Sequence, residues 1–173
     1  LKTLLLSAGL GTRLRPITNK IPKCLVEINQ KPLLHLWLEK LENLKCDSVL
    51  INTHHLPLEV NKSIHKWKGG NCKIYTTFEK DLLGTAGTLI NNLDFFENSK
   101  GLIIHADNVT DDDLKVFLRK HENRPPNTIL SMLTFETDDP KSCGIVEIDK
   151  YKVVQNFHEK VENPPSNLAN AAI

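Results

Sequence analysis

The stretch Ser7-Ala8-Gly9-Leu10-Gly11-Thr12-Arg13-Leu14-Arg15-Pro16, continued by Ile17 to Lys23, follows directly on the apolar run Leu4-Leu5-Leu6. A short apolar run bounded by glycines reads as a buried strand, so the stretch is the loop at that strand's exit. Gly9 and Gly11 let backbone N–H groups approach an anion with no Cβ in the way. Lys2, Arg13, Arg15, Lys20 and Lys23 all precede Glu27, the first acidic residue of the chain. Pro16 and Pro22 stiffen the loop and fix where Arg15 and Lys23 begin. The whole chain carries a net charge of only +1, so this acid-free window is a local anion site and not part of a basic field. A glycine turn beside solvated basic residues is the simplest competing account. Arg13, the prolines and Lys23 together outweigh it.

Two other phosphate-binding loops fail on residues. A Walker loop ends in Gly-Lys-Ser/Thr, and Gly11-Thr12-Arg13 does not. A dinucleotide fingerprint needs a third glycine near position 14 and an acid closing the second strand; the chain has Leu14 and Asn52-Thr53.

Outward from the loop, apolar runs alternate with amphipathic stretches. Val49-Leu50-Ile51, Ile74-Tyr75 with Phe78, Leu102-Ile103-Ile104 and Ile129 to Phe135 read as strands. Helical stripes lie between them: Leu33, Leu34, Trp37, Leu41 and Leu44; Val60, Ile64 and Trp67; Leu89, Ile90 and Leu93; Leu114, Phe117 and Leu118. Thr110 and Asp113 resemble a capping box opening the last helix, with Asp111, Asp112 and Asp113 complementing its dipole. This order implies a parallel or mixed sheet covered by helices on both faces, with ligands beyond the carboxyl ends of the strands. After Pro140, Ile145 to Ile148 and Val153 to Phe157 read as a hairpin turning at Asp149-Lys150.

With 173 residues, 40% of them hydrophobic and 25% charged, the chain suits one ordered domain. Four cysteines (Cys24, Cys46, Cys72 and Cys143) without a C-x-x-C pair read as buried or half-buried thiols in a reducing compartment. No run reaches the roughly 18 apolar residues of a membrane span, and no signal peptide is visible. A cytoplasmic protein is expected, with no nucleic-acid or membrane partner. The chain starts at Leu1 and ends inside the apolar run Leu168 to Ile173, so a continuation past residue 173 is expected. His54-His55, without Cys or Asp partners at ligand spacing, read as surface or capping residues.

Gly9-Leu10-Gly11-Thr12-Arg13-Leu14-Arg15-Pro16, Thr18 and Pro22-Lys23 together resemble the signature of the sugar-1-phosphate nucleotidylyltransferases, or NDP-sugar pyrophosphorylases. The resemblance implies a three-layer α/β/α Rossmann-like nucleotidyltransferase fold with a mixed, mostly parallel central sheet. It implies that the loop wraps a triphosphate, with Leu6, Ala8 and Gly9 against the nucleobase and Gly11 and Thr12 in the phosphate turn. Arg13 would orient the pyrophosphate leaving group, and Lys23 would meet the α-phosphate. Asp107, in His105-Ala106-Asp107-Asn108, matches the family's Mg²⁺-binding aspartate, although Ala106 stands where glycine is usual. Glu79 and the segment Leu83-Gly84-Thr85-Ala86-Gly87 resemble the base-recognition segment, with Gly84 and Thr85 bordering the base. Gly144, Glu159, Lys160 and Asn170 match positions that bind the sugar phosphate, although Ala171 stands where glycine is common. A second metal-binding acid would lie beyond the chain's end.

The implied reaction joins a nucleoside triphosphate and a sugar 1-phosphate, GTP with mannose 1-phosphate or a relative being the nearest match, with homo-oligomerisation left open. Two other classes stand beside it. A non-catalytic nucleotide-binding regulator would tend to lose Arg13, Lys23 or Asp107, and all three are present. A dinucleotide-dependent oxidoreductase is already weakened by Leu14 and Asn52.

Overall fold

The computed structural model describes residues 1–173. The chain expected to form one domain groups into two compact units, Leu1–Asp111 and Asp112–Ile173.

In the first unit, strand β1 (Lys2–Leu6) leads into the loop, which carries three single-turn 3-10 helices at Thr12–Leu14, Ile17–Asn19 and Lys23–Leu25. A two-residue ribbon, β2 (Glu27–Ile28) and β3 (Lys31–Pro32), precedes helix α1 (Leu33–Asn43). Then come β4 (Ser48–Thr53), α2 (Pro57–Lys66), β5 (Lys73–Phe78), α3 (Gly84–Asn91), the short α4 (Leu93–Phe96) and β6 (Gly101–His105). The sheet order is β5-β4-β1-β6, parallel throughout. Connections from β1 to β4 and β4 to β5 run one way along the sheet, and the return from β5 to β6 runs the other. Right-handed crossovers therefore put α1 and α2 on one face and α3 and α4 on the opposite face.

The register shows both faces. Leu5, Ile51 and Ile104 are aligned neighbours and fully buried, on the side of the Leu34, Trp37, Leu38 and Leu41 stripe of α1. Leu4, Leu50 and Ile103 point the other way and pack with Leu89, Phe95 and Phe96. Pro57 opens α2, where a missing N–H leaves no helix bond unmade. The third helical stripe is only partly as predicted. The helix breaks at Asn92, so Leu89 turns inward while Ile90 and Leu93 are 66% and 56% exposed.

The second unit holds α5 (Leu114–Glu122), β7 (Thr134–Glu136), β8 (Gly144–Ile148), β9 (Val154–Glu159) and β10 (Leu168–Asn170). Its sheet order is β7-β10-β8-β9, antiparallel. The antiparallel strands thus form their own sheet instead of completing a mixed central one. The β8–β9 hairpin forms, with the Asp149 carboxylate accepting the N–H groups of Tyr151 and Val153.

Two local readings are corrected. The strand predicted over Ile129 to Phe135 shrinks to β7, because its ladder partner β10 is three residues long; Ile129 is 92% exposed. The α5 cap is Asp113 itself, accepting from Lys115 N–H at 2.8 Å, so the three aspartates precede the helix and none lies in its first turn. No helix is long and apolar enough to cross a membrane.

Candidate active site

β1 and β6 are neighbours at the point where the crossovers change face, the one leaving β1 lying on one face and the one entering β6 on the other, so a crevice opens between their exit loops. Ligands bind at such switch points. A cavity of about 240 Å³ lies there, lined on one side by Leu6, Ala8, Gly9, Lys23 and Asp107. Glu79, Gly84, Thr85, Asn52 and His105 belong to the other wall.

The two glycines of the loop do different things. Gly11 sits at φ +62°, and a Cβ there would come within 2.8 Å of Thr18 Cγ2 and 3.1 Å of Lys23 Cβ. Its role is to let the loop fold tightly back on itself, aided by the Thr18 hydroxyl donating to the Gly11 carbonyl at 2.7 Å. Gly9 has nothing within 4 Å of its Cβ position, so its backbone edge faces open cavity. The Arg15–Pro16 peptide is cis. Thr12 and Arg13 are exposed on the first 3-10 turn, and they do not line the cavity.

Lys23 and Asp107 meet. Lys23 Nζ lies 2.5 Å from Asp107 Oδ2, and both side chains are about one-third exposed (31% and 33%). The aspartate loop is itself held: the indole N–H of buried Trp37 donates to the Asn108 carbonyl at 2.9 Å. Ala106 is fully buried and its N–H continues the sheet by donating to the Leu6 carbonyl at 2.8 Å. Beside Lys23, burial pushes the Cys24 thiol up to about 12, a rise the hydroxyl of Ser7 partly opposes, so this thiol is protonated and unreactive at neutral pH.

The second wall is a buried polar knot. Glu79, 5% exposed, accepts from Asn52 Nδ2 (3.0 Å) and Thr88 Oγ1 (2.5 Å) on Oε1, and from Leu83 N–H (3.3 Å) on Oε2. Gly84, at φ +70°, opens α3, and the Thr85 hydroxyl lies 3.2 Å from His105 Nε2. Sequence reading missed Asn52, Thr88 and His105 as members of this site. The available signal was position alone: polar residues at the carboxyl ends of β4 and β6 and one turn into α3.

In the second unit, Gly144 stands opposite Glu159 in the β8–β9 ladder. A Cβ on Gly144 would lie 2.5 Å from the Phe157 ring and 2.8 Å from Glu159 Oε2, so glycine seats both side chains. Lys160 Nζ pairs with Glu159 Oε1 at 3.0 Å, both well exposed. Asn170 Oδ1 accepts the Ala172 N–H at 2.8 Å. His54 and His55 are half-buried and cap carbonyls of other segments: their rings bond the carbonyls of Glu79 (2.9 Å) and Thr18 (2.8 Å).

The family model for nucleotidyl transferases matches residues 2–173. The chain belongs to the nucleotidyl transferase family. Among its relatives is a UTP–glucose-1-phosphate uridylyltransferase of Synechocystis sp., 29% identical over all of this chain and 48% of its own length. A D-glycero-alpha-D-manno-heptose 1-phosphate guanylyltransferase of Campylobacter jejuni is 30% identical over 93% of this chain and 69% of its own. Crystal structures of HddC from Yersinia pseudotuberculosis, alone and complexed with GMP-PN, are 27% identical and superpose with TM-scores of 0.82 and 0.78. They match 99% of this chain, which spans 74% and 73% of theirs. The fold is thus shared with these neighbours, while the chain spans about half the length of its first relatives (48% and 38%).

Proposed function

We propose that this nucleotidyl transferase moves a guanylyl group from GTP to mannose 1-phosphate or a related sugar 1-phosphate. The observation that carries the reading is the convergence of Lys23 and Asp107, 84 residues apart in sequence, at one end of a cavity whose other wall is Glu79. A phosphate oxygen of the sugar 1-phosphate forms a bond to the α-phosphorus, the bond from that phosphorus to the bridging oxygen breaks, and pyrophosphate leaves. A phosphate monoester dianion is its own nucleophile, so no general base is needed. The difficulty is to align two polyanions and offset the charge that builds on the α-phosphoryl oxygens.

Lys23 supplies positive charge at that point, and Arg13 from the exposed turn orients the departing pyrophosphate. Gly9 offers backbone without a side chain against the base. Asp107 fits Mg²⁺, an ion ordinarily held by one or two carboxylates together with substrate phosphates. When bound there, Mg²⁺ supplies electrostatic stabilisation of phosphoryl oxygens. Glu159 takes sugar hydroxyls, Lys160 the sugar phosphate and Gly144 offers its backbone. Asn170 contributes its amide N–H₂, since its oxygen is already engaged.

Guanine is favoured because Glu79 keeps an acceptor position on Oε2, and guanine presents two adjacent donors on one edge, N1–H and N2–H₂, either of which can fill it with no carbonyl between them. Uracil and thymine present a single N–H between two carbonyls. The name of the Campylobacter jejuni guanylyltransferase relative and the HddC complex with GMP-PN support the same reading. Pyrophosphate release from a panel of the four nucleoside triphosphates and thymidine triphosphate, each with mannose, glucose and heptose 1-phosphates, tests the reading. The fastest turnover is expected with GTP and a manno-configured sugar. Tight nucleotide binding without pyrophosphate release from any pair would instead make the chain a nucleotide-binding regulator.

A further inference from the structure

Asn52 is 3% exposed at the carboxyl end of β4, in register with Leu6 of β1 on one side and Thr77 of β5 on the other. Its one amide reaches two walls of the cavity. Oδ1 accepts the N–H of Ser7, the first residue of the phosphate loop, at 2.7 Å. Nδ2 donates to Glu79 Oε1 at 3.0 Å and lies 3.3 Å from Thr88 Oγ1. The Ser7 hydroxyl returns the tie by donating to the Asn52 carbonyl. A carboxylate oxygen has about two acceptor positions. On Glu79 Oε1 both are filled, by Asn52 and Thr88, whereas Oε2 has only the Leu83 N–H. The carboxylate is therefore pinned by one oxygen, and the other retains capacity for a ligand's donor.

We propose that Asn52 is a positioning residue for base selection: it sets the carboxylate of Glu79 and, through the same amide, ties that setting to the root of the phosphate loop. The inference rests on the reading of this cavity as a nucleoside triphosphate site. It goes beyond that reading in placing selectivity on a residue that touches neither base nor phosphate. Coupling of the two walls follows from the covalent rigidity of an amide, whose oxygen and nitrogen cannot be reoriented separately.

The test is Asn52→Asp. This nearly isosteric change keeps an acceptor for Ser7 N–H but turns the donor facing Glu79 into a second carboxylate oxygen. Two carboxylates at hydrogen-bond distance cannot both ionise without strong repulsion, so one of them binds a proton more tightly than usual. At high pH the pair repels and Glu79 is displaced; at low pH the shared proton restores a donor. Equilibrium binding of GTP and UTP at pH 8 and at pH 5.5 reads the effect as a ratio of the two affinities. The other titratable groups near Glu79 are Lys80 and Asp81 beside it and His54 on its carbonyl; His105, Lys23 and Asp107 line the same cavity. All are common to both proteins, so the variant's ratio is divided by that of the unmodified chain at each pH.

We expect the GTP preference to fall on the order of tenfold at pH 8 and to recover substantially at pH 5.5. Thr88→Val removes the other donor on Oε1 while leaving the Ser7 tie, and it should lower the preference at both pH values without recovery. It is also the informative variant if Asn52→Asp does not fold. A preference that either folded variant leaves unchanged at both pH values overturns the proposal, as does equal weakening of GTP and UTP, the signature of a merely structural role. Failure of the unmodified chain to bind any nucleoside triphosphate would overturn the reading of the cavity itself, a result distinct from binding with unaltered selectivity.

Discussion

The cavity of the first unit and the β8–β9 hairpin of the second hold their functional side chains in opposite ways. In the cavity, Asn52, Glu79 and Thr88 are all at most 5% exposed, and each is fixed by partners from another strand or helix. On the hairpin, Glu159 and Lys160 are adjacent in sequence, more than half exposed by side chain, and bonded to one another. Buried polar groups must be paired, so the first arrangement is rigid and sensitive to every member. Exposed pairs are screened by water, so the second contributes little to folding. The difference separates selection built into the fold from charge carried on its surface.

The largest effect expected is on stability. Trp37→Ala removes a fully buried indole and the anchor of the Asp107 loop, and should destabilise by about 3–5 kcal/mol. Trp37→Phe, which keeps most of the packing but leaves the Asn108 carbonyl without its donor, should lose about 1–3 kcal/mol. Urea denaturation distinguishes the two; a Trp37→Phe loss near zero would show that the indole hydrogen bond does not hold the loop.

Next in size is turnover. Lys23→Ala and Arg13→Ala should each lower the rate of pyrophosphate release on the order of 10²–10³ with circular dichroism unchanged. Near-normal rates would remove both residues from the chemistry. Asp107→Asn should lose Mg²⁺ dependence along with rate.

Glycine replacement sharpens the comparison within a single loop. Gly11→Ala should destabilise by more than about 1 kcal/mol, since its left-handed backbone and the 2.8 Å approach to Thr18 both oppose a side chain. Gly9→Ala should leave the melting temperature nearly unchanged and weaken nucleotide binding, because its methyl meets only the open cavity. A Gly9 variant that melts early but binds normally would reverse the two assignments.

The smallest effects belong to the hairpin. Glu159→Gln and Lys160→Ala should shift stability by less than about 0.5 kcal/mol while raising the KM for sugar phosphate. Nearby, the Asn156 amide, and then His158, hold the Glu147 carboxyl below its ordinary range. A depressed carboxyl stabilises the fold above its unfolded value and loses that contribution as pH falls through the folded one. Glu147→Gln should therefore flatten a slight loss of stability under acid conditions, most visibly at low salt, in a pH series of thermal melts.

What could be read from the residues follows the range of the interactions involved. The alternation of buried runs and amphipathic stripes located β1, β4, β5, β6 and the helices, because period and turn chemistry are local properties. The strand expected at Ile129 to Phe135 formed only at its end, as β7, because strand length depends on a partner elsewhere in the chain. The start of α5 was misplaced by three residues because Thr110 and Asp113 offer competing caps and only the folded backbone chooses between them. Site residues divide in the same manner. Gly9, Gly11 and Lys23 stood out within one loop, whereas Asn52 and Thr88 carried no motif of their own.

By itself, the sequence from Ser7 to Lys23 determined that an anion-binding loop follows a buried strand, since glycine placement and the lack of acids act over a few residues. It also determined the family, which the match over residues 2–173 shows. Only the tertiary structure decided that Lys23 meets Asp107, that Asn52 joins Glu79 to Ser7, and that Gly11 shapes the loop while Gly9 leaves it open. Those contacts join residues as many as 84 positions apart, and they exist because parallel strands with opposed crossovers bring distant exit loops to one edge of the sheet.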